Sequence, residues 1–139
     1  MLYNPNNTGD RHSDQENIIM TKIMIVDDDE QVTVLLGKLL TMEGYEITAI
    51  NESSEAHQAA LSAKPDLFLL DLMMPDPDGF KLCRILRADP HFIFTPIIIV
   101  TALDDNDSRV VAFGAGANDY ITKPFHTSDL VERIRKLTA

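Results

Sequence analysis

The chain has one cysteine, Cys83, which rules out an internal disulfide, and its apolar helical neighbours suggest a buried, inert thiol. Internal repeats and low-complexity tracts are absent, which excludes a solenoid or repeat array. No apolar stretch approaches the ~20 residues of a membrane-spanning helix or has the form of a signal peptide, so the cytoplasm is the expected compartment. Basic residues are scarce, 12 Lys and Arg against 22 Asp and Glu, for a net charge of −10. Binding to nucleic acid or to an anionic membrane depends on Lys and Arg displacing counterions, so neither is expected of this domain, and a basic partner is easier to accommodate. The histidines, His12, His57, His91 and His126, have no metal-ligand spacing, and a His metal site is not expected.

What is present fits one globular domain: 139 residues, 45% hydrophobic and 24% charged. Residues 1–21 are mostly polar and turn-forming and are expected to be a flexible extension, with the folded domain over 22–139. From there strands and helices alternate, the pattern of an α/β fold. Strands are expected over 23–26, 45–50, 67–70, 97–100 and 119–122. Helix one is expected over 30–43, with Val32, Leu35, Leu36 and Leu39 on its inner face and Gly44 as its stop. Helix two starts at Ser53 or Ser54, carries Ala56, Ala59, Ala60 and Ala63, and ends before Pro65. Leu82, Ile85 and Leu86 mark helix three, residues 106–115 helix four, and Leu130, Ile134 and Leu137 helix five behind a Thr127 or Ser128 cap. Phe80, Phe113 and Phe125 are assigned to core or near-core packing.

Chemistry collects where the strands end. Asp27, Asp28, Asp29 and Glu30 follow strand one, Asp71 follows strand three, Thr101 strand four and Lys123 strand five. In an open parallel sheet the ligand crevice lies at those carboxyl ends. Two carboxylates about 4 Å apart repel by roughly 4 kcal/mol at a protein-like dielectric, so such a cluster calls for a cation or a proton, and all-oxygen donors favour Mg²⁺, Mn²⁺ or Ca²⁺. Carboxylates, a hydroxyl and an ammonium together are the parts that stabilise a transferring phosphoryl group, which a carboxylate can itself accept. Asp29 and Glu30 are assigned to the start of helix one, and Asp76, Asp78, Asp104, Asp105 and Asp107 to turns and helix starts.

The chain resembles the receiver domain of two-component response regulators over nearly all of residues 23–137. The resemblance rests on Val26-Asp27-Asp28-Asp29, on Leu70-Asp71-Leu72-Met73-Met74-Pro75 with Gly79 following, on Val100-Thr101-Ala102, and on Tyr120-Ile121-Thr122-Lys123-Pro124-Phe125. It implies a doubly wound, five-stranded parallel sheet of order 2-1-3-4-5 flanked by five helices, the flavodoxin-like receiver fold. It also implies that Asp71 takes a phosphoryl group from the phosphohistidine of a sensor histidine kinase or phosphotransfer protein and later loses it by slow self-hydrolysis, without being an enzyme in the turnover sense. Asp28, Asp71 and the Met73 backbone carbonyl would ligate Mg²⁺, for which Mn²⁺ could substitute, and Asp27 would help through water. Lys123, on a cis Lys123-Pro124 bond, would bind phosphoryl oxygens, Thr101 would donate its hydroxyl, and Tyr120 would change rotamer as Thr101 moves. A homodimer through helix four, strand five and helix five, using Arg109, Asp119, Glu132 and Arg133, competes with a monomeric partner contact on that face.

Three other readings fit parts of the sequence. Asp27 and Asp29 reproduce the Asp-x-Asp of haloacid-dehalogenase-type phosphatases, but Gln31 stands where that pattern asks for Thr. A flavin-binding module would need hydroxyl and glycine donors after strand one, where this chain is anionic. A receiver without phosphorylation chemistry would be expected to lack site residues present here.

Overall fold

The computed structural model describes residues 19–139, so the expected extension falls, up to residue 18, outside the described residues. Five strands, β1 (Lys22–Val26), β2 (Glu46–Ile50), β3 (Leu67–Leu70), β4 (Ile97–Thr101) and β5 (Asp119–Thr122), form a parallel sheet in the order β2-β1-β3-β4-β5. Between and after them run α1 (Glu30–Met42), α2 (Ala56–Ala63), α3 (Gly79–Ala88), α4 (Asn106–Gly114) and α5 (Thr127–Thr138), with short 3₁₀ turns at Ser53–Glu55 and Pro90–Phe92. The doubly wound fold is the expected one. Among the described residues no helix is long and apolar enough to cross a membrane.

Every residue of β3 and β4 is buried, as in strands covered on both faces. Side-chain alternation divides the core in two. Ile23, Ile25, Leu67, Leu69, Ile98, Val100 and Ile121 pack under α1 and α5, while Met24, Val26, Phe68, Leu70, Ile97, Ile99 and Tyr120 pack under α2, α3 and α4.

Local chemistry sets the helix limits. The Asp29, Asp78 and Asp105 carboxylates cap α1, α3 and α4 by accepting the Gln31, Lys81 and Ser108 amides, each at 2.9 Å. α1 ends in a left-handed turn at Gly44, whose N–H donates to the Thr41 carbonyl while Tyr45 N–H returns to the Leu40 carbonyl. Gly79 is sterically required: a Cβ there would collide with the Asp71 backbone carbonyl and lie 2.6 Å from Leu72 Cα. That close approach lets α3 start against the loop carrying Asp71.

Four local expectations are corrected. On α1 the buried residues are Thr33, Leu36 and Leu40, and Leu35 is 59% exposed. The inner stripe is rotated because Thr33 is drawn inward, its hydroxyl donating to the Glu30 carbonyl and accepting from the Asn51 amide. On α3, Cys83 takes the buried place beside Leu82 and Leu86, and Ile85 is only half-buried. Phe113 is 47% exposed, because α4 meets the core through the small residues Ala112 and Ala115. α5 starts one residue earlier than expected: extended His126 is its N-cap, its carbonyl taking the Asp129 and Leu130 amides, and no side chain caps the helix.

Candidate functional site

The parallel ladder runs one residue past the strand ends and thereby assembles the site. The Asp27 amide donates to the Ile50 carbonyl, the Asp71 amide to the Val26 carbonyl and the Lys123 amide to the Thr101 carbonyl. Asp27, Asp71 and Lys123 converge as a result. The Lys123 ammonium Nζ donates to Asp27 Oδ2 at 2.8 Å and to Asp71 Oδ2 at 3.2 Å. Asp27 Oδ1 accepts the Asp29 amide at 2.9 Å, and Asp71 Oδ1 accepts the Met73 amide at 3.2 Å. Both acids and the Thr101 side chain are buried.

Burial pushes the Asp27 carboxyl above its ordinary pKa, against the downward pull of the Lys123 ammonium and the Asp29 amide. Burial works against the Lys123 charge too, but its bond to Asp27 and the field of Asp71 prevail and raise its pKa. Two carboxylates, Asp27 and Asp71, against one ammonium leave a formal surplus of negative charge, which attracts a cation. Among the described residues no three His, Cys, Asp or Glu side chains stand ready as a metal cage. Lys123 occupies the point where Asp27 and Asp71 meet, while Asp28 and Met73 lie exposed at the rim.

Thr101 and Tyr120 do not touch the carboxylates through these contacts. They are joined to each other through the backbone of one residue, Leu103. Leu103 N–H donates to Thr101 Oγ1 at 3.4 Å, and the Leu103 carbonyl accepts from the Tyr120 hydroxyl at 2.6 Å. Burial raises the Tyr120 phenol above its ordinary pKa, with Arg109 opposing. The Lys123-Pro124 peptide is cis. On the face where a homodimer competes with a monomeric partner contact, Arg133 is bonded within the chain, to Asp119 at 2.7 Å and Asp129 at 3.1 Å, and Arg135 pairs with Glu132 at 3.2 Å.

Sequence reasoning missed several residues. Asn51 Nδ2 donates to the Asp27 carbonyl and to Thr33 Oγ1, both at 2.9 Å, and the Ser53 hydroxyl donates to the Pro75 carbonyl at 3.0 Å. The loop after β2 thus braces both acid-bearing loops. Arg87 binds the Gly116, Phe92 and Thr95 carbonyls and Asn118 Oδ1 at the opposite end of the sheet. His57 and His91, far apart in sequence, both bond Asp89, at 2.7 and 2.8 Å, and chiefly the His57 bond lowers the Asp89 pKa to about 2. No spacing rule pairs such positions; only an Asn or Ser beside an acid-bearing strand end was available as a hint.

A 2-1-3-4-5 parallel sheet with two acids and a lysine gathered at its switch point defines the doubly wound α/β class. The family model described as the response regulator receiver domain matches residues 23–135, and the chain belongs to that family. It is 36% identical over 118 residues to the "DNA-binding dual master transcriptional regulator RpaA" of Synechocystis sp., covering 85% of this chain and 49% of that protein. It is 39% identical over 113 residues to the "Phosphate regulon transcriptional regulatory protein PhoB" of Pseudomonas aeruginosa, covering 81% and 49%. The chain spans about half the length of these curated relatives. Among solved structures, a putative response regulator of Chloroflexus aurantiacus superposes with a TM-score of 0.82 at 35% identity over 86% of this chain and 98% of the other. The BeF₃-activated N-terminal receiver domain of Klebsiella pneumoniae RstA gives 0.80 at 33% identity over 85% and 98%.

Proposed function

We propose that Asp71 is the phosphoacceptor of a two-component signalling switch, taking its phosphoryl group from the phosphohistidine of a sensor kinase or phosphotransfer protein. The observation that carries this reading is the Lys123 ammonium shared between Asp71 and Asp27 in a buried pocket. An Asp71 oxygen forms the new bond to phosphorus as the bond to the histidine nitrogen breaks, and the nitrogen keeps that electron pair. Lys123 then pairs with phosphoryl oxygens, and the buried Thr101 hydroxyl donates to one. The donor set fits Mg²⁺ or Mn²⁺, because Asp27, Asp28, Asp71 and the Met73 carbonyl offer oxygen only. Such a cation supplies neutralisation of the phosphoryl charge.

Two surfaces complete the reading. Beside the site, α1 leaves Val34 and Leu35 exposed around Lys38, an apolar strip suited to a helix of the phosphoryl donor. Farther round, α4, β5 and α5 form the output face, where the exposed Val110, Val111 and Phe113 suit a protein partner or a second receiver. The test is mass spectrometry after incubation with acetyl phosphate. A single phosphoryl adduct in Mg²⁺, absent in EDTA and in Asp71→Asn, is expected; a full adduct on Asp71→Asn overturns the assignment.

A further inference from the structure

The Tyr120 ring lies on β5, closed from solvent at 4% exposure, with its hydroxyl held by the Leu103 carbonyl. Over its open face stands Arg109, in the first turns of α4, with Cζ 4.6 Å from the ring centroid. A guanidinium at that distance is attracted by the negative face of the ring. Among the described residues no carboxylate forms an ion pair with Arg109, although Asp105 feels its charge and Asp104 lies within electrostatic range of the ring. Asp105 is committed to the Ser108 amide and hydroxyl, and Asp129, lining the same cavity of about 310 Å³ between α4 and α5, is bonded by Arg133, as is Asp119. Arg109 is therefore left to the ring. Phe113, with its ring 6.4 Å away, borders the same tyrosine from α4.

We infer that Arg109 is the latch of the tyrosine switch, a positioning residue that holds Tyr120 inward and so couples the position of α4 to Thr101 through the Leu103 backbone. The inference rests on the proposed phosphorylation of Asp71 and on the reading, implied by the resemblance to receiver domains, that Tyr120 changes rotamer as Thr101 moves. Whatever favours the inward ring favours the phosphorylated state by the same factor, because coupling between sites is reciprocal. Arg109 thereby sets the resting balance, and a partner that draws its guanidinium away reopens the ring.

The experiment uses the full chain, with beryllofluoride in Mg²⁺ as the phosphoryl mimic and the Tyr120 ring signals followed by NMR, assigned through Tyr120→Phe. Arg109→Ala should move those signals toward rotamer averaging and weaken beryllofluoride binding about three- to tenfold, as the loss of one partly exposed cation–π contact implies. Arg109→Lys should restore most of both. If the ring signals respond to beryllofluoride identically in wild type and Arg109→Ala, with unchanged affinity, the latch is overturned and the switch stands. If wild-type Tyr120 does not respond to beryllofluoride, the switch reading falls and the latch with it. Lower thermal stability in Arg109→Ala without a ring or affinity change makes Arg109 a packing residue and overturns the latch.

Discussion

Asp27→Asn should stabilise the protein in the absence of divalent cations, although it deletes half of a buried ion pair. The Lys123 ammonium attracts the Asp27 carboxylate across 2.8 Å, about 6 kcal/mol at an effective dielectric of 20. Against this stands Asp71, whose oxygen reaches the same nitrogen at 3.2 Å and so lies within about 6 Å of the Asp27 oxygen, a repulsion of about 3 kcal/mol or more. Burying the carboxylate costs several kcal/mol more. The upward shift of the Asp27 pKa gives the balance: charge at this position is a net burden on the fold. Asparagine keeps the acceptor for the Asp29 amide and leaves Lys123 bonded to Asp71. We expect a gain of about 1 kcal/mol, roughly 3–6 °C in Tm for a domain of this size. Because the folded pKa is raised, ionising Asp27 takes stability away as pH rises through it. The advantage of the variant should be open at pH 7 and close as the pH falls toward 3.8, the ordinary value. In Mg²⁺ at a hundredfold excess over its Kd the wild type gains about 2.7 kcal/mol, the variant less, and the order should reverse. Urea denaturation in EDTA and in Mg²⁺ checks both halves; a variant less stable than wild type in EDTA refutes the reasoning.

Met73 and Leu103, apolar residues beside the site, offer no hydrogen bond to an attacking water, so Met73→Asn combined with Leu103→Glu should shorten the acyl phosphate lifetime several-fold; an unchanged decay by phosphate release counts against it. Asn51→Ala removes the brace on the Asp27 carbonyl and should weaken Mg²⁺ binding several-fold in a calorimetric titration while the fold loses only about 1–2 kcal/mol. Arg87→Met strands three carbonyls at the far end of the sheet and should cost about 3 kcal/mol in urea denaturation, yet leave the Mg²⁺ affinity unchanged.

Much of this protein was legible along the chain. The runs at β1, β3 and β4 are apolar throughout because both faces of the sheet are covered, and Asp29, Asp78 and Asp105 cap the helices they precede because a short acceptor satisfies the orphan amides locally. Helix faces were legible only to within a step. On α1 a threonine bonded across to Asn51 turned Leu35 outward, and on α4 small alanines let the backbone close on the sheet and left Phe113 at the surface.

The sequence by itself determined which chemistry each strand end would carry, since strand period and motif order depend on neighbours a few residues apart. The tertiary structure alone decided what those groups would touch: that one ammonium bridges Asp27 and Asp71 across separations of 96 and 52 residues, that Asn51 and Ser53 brace the acid loops, that His57 reaches Asp89, and that Arg109 covers Tyr120. Those contacts arise from strand register and helix packing, which bring distant residues within a few ångströms and leave no local pattern to read.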